Sequence, residues 1–145
     1  MVVRGLKRAL FMSACVATFI LSPLSSVAAA QGESLFAGLS RSAPNLDPQV
    51  LRYALDATEC AIHNGVSTPS RLAVIDFSLP SSEQRLWIFD LEEKALLLRD
   101  LVAHGRNSGD LESTQFSNVE GSHQSSIGLF RAAESYQGKH GYSLR

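Results

Sequence analysis

Cysteine is nearly absent: Cys15 and Cys60 are the only two in 145 residues. With so few, no multi-disulfide framework can support this fold. Long apolar runs are also lacking. The longest, Ala9 to Leu21, is interrupted by Ser13 and Thr18 and stops before Pro23, short of the roughly 20 residues a membrane-spanning helix needs. Aromatics are few and scattered, with Trp87 the single tryptophan, so no stacking platform for bases is in view. Neither a Gly-x-Ser-x-Gly elbow nor a His-x-x-x-His pair occurs, which argues against a serine hydrolase and a helical zinc site.

What the start of the chain does have is an export pattern. Arg4, Lys7 and Arg8 precede the apolar stretch, and Val27-Ala28-Ala29-Ala30 supplies the small residues a signal peptidase reads. Residues 1–30 are therefore expected to be a signal peptide cleaved after Ala30. Met12-Ser13-Ala14-Cys15 lacks the Leu of a lipoprotein anchor, so no stable membrane insertion is expected after cleavage. Three of the 13 basic residues lie in that leader, which leaves 10 against 14 acidic ones, a net charge of −4. No basic patch survives, and nucleic acid is not an expected partner.

The remaining 115 residues suffice for one small domain. Residues 31–46, rich in Ser and Gly, read as an exposed lead-in. Asp47 as N-cap and Pro48 at the first position predict a helix over residues 48–64, closed by Gly65. Val50, Leu51, Ala54, Leu55, Thr58, Ala61 and Ile62 share its apolar face. Cys60 falls on the opposite face, with no cationic residue one turn before it to stabilise a thiolate, and reads as a spare thiol.

Three strands are predicted next, over residues 71–78, 85–91 and 95–103, joined by short polar turns as an antiparallel meander. Leu86-Trp87-Ile88-Phe89 is apolar on both faces, so the second strand should be covered on both sides. A fourth strand is predicted over residues 127–133. The fold class is thus mainly β, an antiparallel meander plus a polar loop, preceded by one N-terminal α-helix.

The stretch from His104 to Ser126 is polar and glycine-punctuated. A connection of this length in a compact domain points to a ligand loop. Asn118, Ser122, Ser125 and Ser126 offer hydrogen bonds to a peptide- or sugar-like ligand. His104, His123 and His140 are spaced by 19 and 17 residues, and a zinc site would need Asp110 or Glu112 added. His104 and His140 read better as loop-orienting or substrate-contact residues, and His63 and His123 as solvated. No metal and no cofactor is expected.

Several segments in order carry a family resemblance. These are Val74-Ile75-Asp76-Phe77-Ser78 before Leu79-Pro80-Ser81, Arg85-Leu86-Trp87, Val102-Ala103-His104-Gly105 with Ser108-Gly109, Phe116-Ser117-Asn118, Ser125-Ser126-Ile127-Gly128, and Tyr136-Gln137-Gly138-Lys139-His140-Gly141-Tyr142-Ser143-Leu144. Together they resemble the murein L,D-transpeptidase catalytic domain family. Ser125-Ser126-Ile127-Gly128 is similar to the Thr-Pro-x-Gly turn of the wider class, with Ser126 where that class has Pro.

The resemblance implies a β-rich cell-envelope domain over residues 67–145, following a lead-in and helix over residues 31–66. It implies a cysteine acyltransferase acting on peptidoglycan stem peptides, with His104, Gly105, Asn118, Ser125, Gly128 and His140 as substrate-binding residues. In the family the catalytic His and a Ser-x-Gly-Cys segment follow the Gly-Tyr-Ser-Leu-Arg stretch. No Ser-x-Gly-Cys occurs in these 145 residues. The expectation is therefore an N-terminal part of such an enzyme, inactive alone, with no catalytic residue of its own. The alternative is a non-catalytic envelope protein that binds peptidoglycan or a partner chain.

Overall fold

The computed structural model describes residues 34–139 and 141–144. The expected signal peptide over residues 1–30, His140 and Arg145 lie outside the described residues. Helix α1 covers residues 34–42 and α2 runs Pro48–His63. Strands β1 (Arg71–Ile75), β2 (Leu86–Asp90) and β3 (Ala95–Asp100) follow, then β4 (Ser135–Gly138) and β5 (Gly141–Leu144). The first three form one antiparallel sheet in the order β1-β2-β3, and β4 and β5 pair separately.

Local chemistry sets the helices. The Asp47 carboxylate accepts from the Gln49 N–H at 2.7 Å and Pro48 opens α2, a cap that satisfies an otherwise orphan donor. The face predicted from the period packs inward, with Leu51 and Thr58 buried and Val50, Ala54 and Leu55 against the core. The expected exposed lead-in is corrected. Leu35, Phe36, Leu39, Ala43 and Leu46 recur at helical spacing, and Leu39 is wholly buried. Gly38 is where α1 crosses the β2–β3 turn: an added Cβ would stand 3.0 Å from the Lys94 Cβ. The Arg52 guanidinium lies 4.0 Å over the Phe36 ring and joins the two helices.

The sheet buries one face. Leu72 and Val74 on β1 lie directly opposite Phe89 and Trp87 on β2, and all four are buried. Cross-strand pairs of this kind carry most of a sheet's side-chain stabilisation. On the other face Leu86 and Ile88 are half-buried, so cover on that side is partial. The β2–β3 register jumps between Ile88↔Leu98 and Phe89↔Leu96, which leaves Leu97 as the extra residue of a bulge. The bulge lets Leu96 and Arg99 share the inner face although three residues apart, and the Arg99 guanidinium sits 5.4 Å over Trp87.

The predicted fourth strand is also corrected. Residues 127–134 have no regular structure, and Ile127, Leu129 and Phe130 are exposed. The strand forms instead at Ser135–Gly138 and pairs with Gly141–Leu144, with Gly138 opposite Gly141. A hairpin this local closes at far lower chain-entropy cost than a return across the polar stretch to the meander. Among the described residues no helix is long and apolar enough to cross a membrane.

Candidate functional site

The site grows from a buried cation. Arg85 stands one residue before β2, and its side chain is wholly shielded from solvent. An unpaired buried guanidinium would be costly, and here nearly every donor is used. Nε donates to the Val102 carbonyl at 3.2 Å. Nη1 donates to the Leu79 carbonyl at 2.8 Å and to Ser113 Oγ at 3.2 Å. Nη2 meets His104 Nδ1 at 2.7 Å. The Phe77 ring lies 5.1 Å from the guanidinium carbon. Burial pushes the Arg85 guanidinium below its ordinary value, and the charge of Asp76, itself buried, opposes that shift. Asp76 is held in turn by the Ser78 N–H at 2.9 Å and the Ser78 hydroxyl at 2.6 Å.

This arrangement assigns the His104 tautomer. Arginine can only donate, so Nδ1 accepts from it; a carbonyl can only accept, so Nε2 carries the proton that reaches the Gly109 oxygen at 3.1 Å. Both ring nitrogens are committed to protein partners.

The polar stretch folds back on itself around Ser108, which is wholly buried. Its hydroxyl accepts from the Ser125 N–H at 2.8 Å, and its carbonyl accepts from Thr114 N–H at 2.8 Å and Gln115 N–H at 3.1 Å. Ser125 Oγ accepts from the Gly105 N–H at 2.9 Å, and Asn107 N–H donates to the His123 carbonyl at 3.1 Å. Gly105 is required by closeness alone. A Cβ there would sit 2.4 Å from the His123 oxygen and 2.8 Å from Ser125 N. Phe116 stacks obliquely on Phe77, ring centroids 5.5 Å apart, which anchors the far end of the stretch beside Arg85.

Between these parts lies an open cavity of about 530 Å³, lined by Ser81, Leu101, Val102, Ala103, His104, Arg106, Gly109 and Asp110. Its walls come from three segments, after β1, after β3 and from the polar stretch. The Ser81 N–H closes one side on the Leu111 carbonyl at 2.7 Å. Backbone edges with one side chain of each charge, Arg106 and Asp110, suit a polar, extended ligand.

The six expected substrate-binding residues are distributed as follows. His104 lines the cavity, Gly105 adjoins it, and Ser125 meets Gly105 through its hydroxyl. Asn118 and Gly128 are exposed and are not among the lining residues. His140 lies outside the described residues. Cys60 is exposed on α2, where its Sγ accepts from Asn64 Nδ2 at 3.6 Å. Among the described residues no group of three or more His, Cys, Asp or Glu could hold a metal ion. Arg85 and Ser108 were missed as site residues. A lone Arg opening an apolar strand was the available signal for the first. Ser108 carried none.

The family model described as the L,D-transpeptidase catalytic domain matches residues 42–145. The match takes in α2, all five strands and every residue lining the cavity. No curated protein and no solved structure matches the chain.

Proposed function

This chain belongs to the L,D-transpeptidase catalytic-domain family, and from that premise we propose that it serves cysteine acyl transfer on peptidoglycan stem peptides. The observation that carries the reading is the match over residues 42–145, with the cavity inside it. In such a transfer a thiolate attacks the peptide carbonyl after an L-centre and backbone N–H groups hold the oxyanion. The C–N bond then breaks, the departing amine takes a proton from the base, and a thioester remains. An amine of a second stem, or water, resolves it.

In this proposal residues 42–145 supply the scaffold and the cavity walls, and export to the cell envelope follows from the Arg4–Ala30 pattern. The nucleophile is not Cys60, which is exposed on α2 and outside the cavity. The test compares the 145-residue chain with the same chain fused to a Ser-x-Gly-Cys segment of the family, each incubated with tetrapeptide muropeptides and followed by mass spectrometry. Acyl adduct and crosslinked product are expected only where that segment is present. Turnover by the 145-residue chain that disappears with Cys60→Ala contradicts the reading. Saturable binding without turnover in the fused chain favours a peptidoglycan-binding protein instead.

A further inference from the structure

We propose that Arg85 is the positioning residue of the cavity: its buried guanidinium ties together the three wall segments and holds His104 as an Nε2–H donor, without touching the ligand itself. This rests on the cavity being the ligand groove. Each wall has its own bond to the same group. The segment after β1 is held through the Leu79 carbonyl, the segment after β3 through the Val102 carbonyl and His104, and the polar stretch through Ser113. Those segments contribute Ser81, then Leu101 to His104, then Gly109 and Asp110 to the lining.

The fork is what makes this possible. Nε, Nη1 and Nη2 leave one plane in fixed directions and reach four acceptors on three segments. A lysine ammonium at the same position keeps the charge but cannot span them. His104 is the point of consequence, because its ring spans from Arg85 to the Gly109 carbonyl and so links two of the lining residues, His104 and Gly109. Without the Arg85 donor, Nδ1 has no reason to stay the acceptor, and the ring can turn or exchange tautomers.

The readout is the His104 imidazole, observed by ¹⁵N NMR in the full chain. In the wild type one form is expected, with Nδ1 unprotonated and a slowly exchanging Nε2–H. A coupling across the hydrogen bond between the Arg85 side-chain nitrogen and His104 Nδ1 is expected as well. In Arg85→Lys the Nε2–H should exchange at least about tenfold faster, as expected for loss of a charge-assisted bond. Ser113→Ala, which removes an Arg85 partner but no His104 bond, should leave the His104 resonance unchanged. An unchanged His104 resonance in Arg85→Lys overturns the proposal, as does a wild type with a protonated Nδ1. If Arg85→Lys does not fold, the cross-bond coupling in the wild type decides the matter without a variant. No muropeptide is used, so a failure of the catalytic reading leaves this result standing, and the reverse also holds.

Discussion

Gly105→Ala puts a single methyl group into the tightest backbone approach of the site. The new Cβ would stand 2.4 Å from the His123 oxygen, 2.8 Å from the Gln124 carbonyl carbon and 2.8 Å from Ser125 N. All three are backbone atoms, so no side-chain rotation relieves the clash. Restoring ordinary contact moves the 123–125 segment away by about 1 Å. That displacement breaks the Gly105 N–H bond to Ser125 Oγ at 2.9 Å and the Asn107 N–H bond to the His123 carbonyl at 3.1 Å. Two such bonds contribute about 1 kcal/mol each, and overpacking adds about 1–3 kcal/mol, for a total of about 3–5 kcal/mol. The native state of a domain this size is worth only about 5–15 kcal/mol, so the effect is large without abolishing the fold. Two measurements locate it. Urea unfolding followed by Trp87, the sole tryptophan and a core residue, reports the sheet. Amide exchange at Asn107 and Ser125 reports the polar stretch. We expect exchange at those two amides to accelerate by roughly a hundredfold or more, the equivalent of about 3 kcal/mol, with the Trp87 midpoint falling less if the stretch opens locally. Wild-type protection at Asn107 and Ser125 in Gly105→Ala would contradict a backbone clash at this position.

Other substitutions separate the parts of the fold. Phe89→Ala empties the centre of the sheet's buried face and should cost about 3–5 kcal/mol by urea denaturation; a loss under about 1 kcal/mol contradicts the packing described. Asp47→Ala removes the α2 cap and should lower stability by about 1 kcal/mol, readable as a shift of the same midpoint. Cys60→Ala should leave the midpoint within about 0.5 kcal/mol, since the thiol is exposed. Leu98→Lys, on a strand paired on one side only among the described residues and 44 % exposed, should reduce concentration-dependent light scattering, because a charge on an exposed edge blocks strand addition.

The parts legible in the sequence were those set by local chemistry. Asp47, Pro48 and the apolar period gave α2, and short polar turns between apolar runs gave the meander. The ordered segments from Val74 to Leu144 gave the family. Helix α1 was hidden because Ser, Gly and Arg between Leu35, Phe36, Leu39 and Ala43 looked like a linker, although the spacing was already helical. Residues 127–133 carry apolar residues that read as a strand, but pair with no strand among the described residues. The pairing of Gly138 with Gly141 depended on a closer competitor. Within the site, His104 reads from the sequence as a loop-orienting or substrate-contact residue, and its partner Arg85 lies 19 positions away. The Ser108–Ser125 bond spans 17 positions. Contacts at that separation have no local signature, and only the folded polar stretch reveals them.

The proposed function requires that the cavity between β3 and the polar stretch receive a peptidoglycan stem peptide. The most direct measurement is a titration of the ¹⁵N-labelled protein with a tetrapeptide muropeptide, followed amide by amide. Saturable shifts are expected at Ser81, Ala103, His104, Gly109 and Asp110, which line the cavity, with α2 around Cys60 unmoved. Shifts confined to α2, or no saturable shift at the cavity residues, would contradict it.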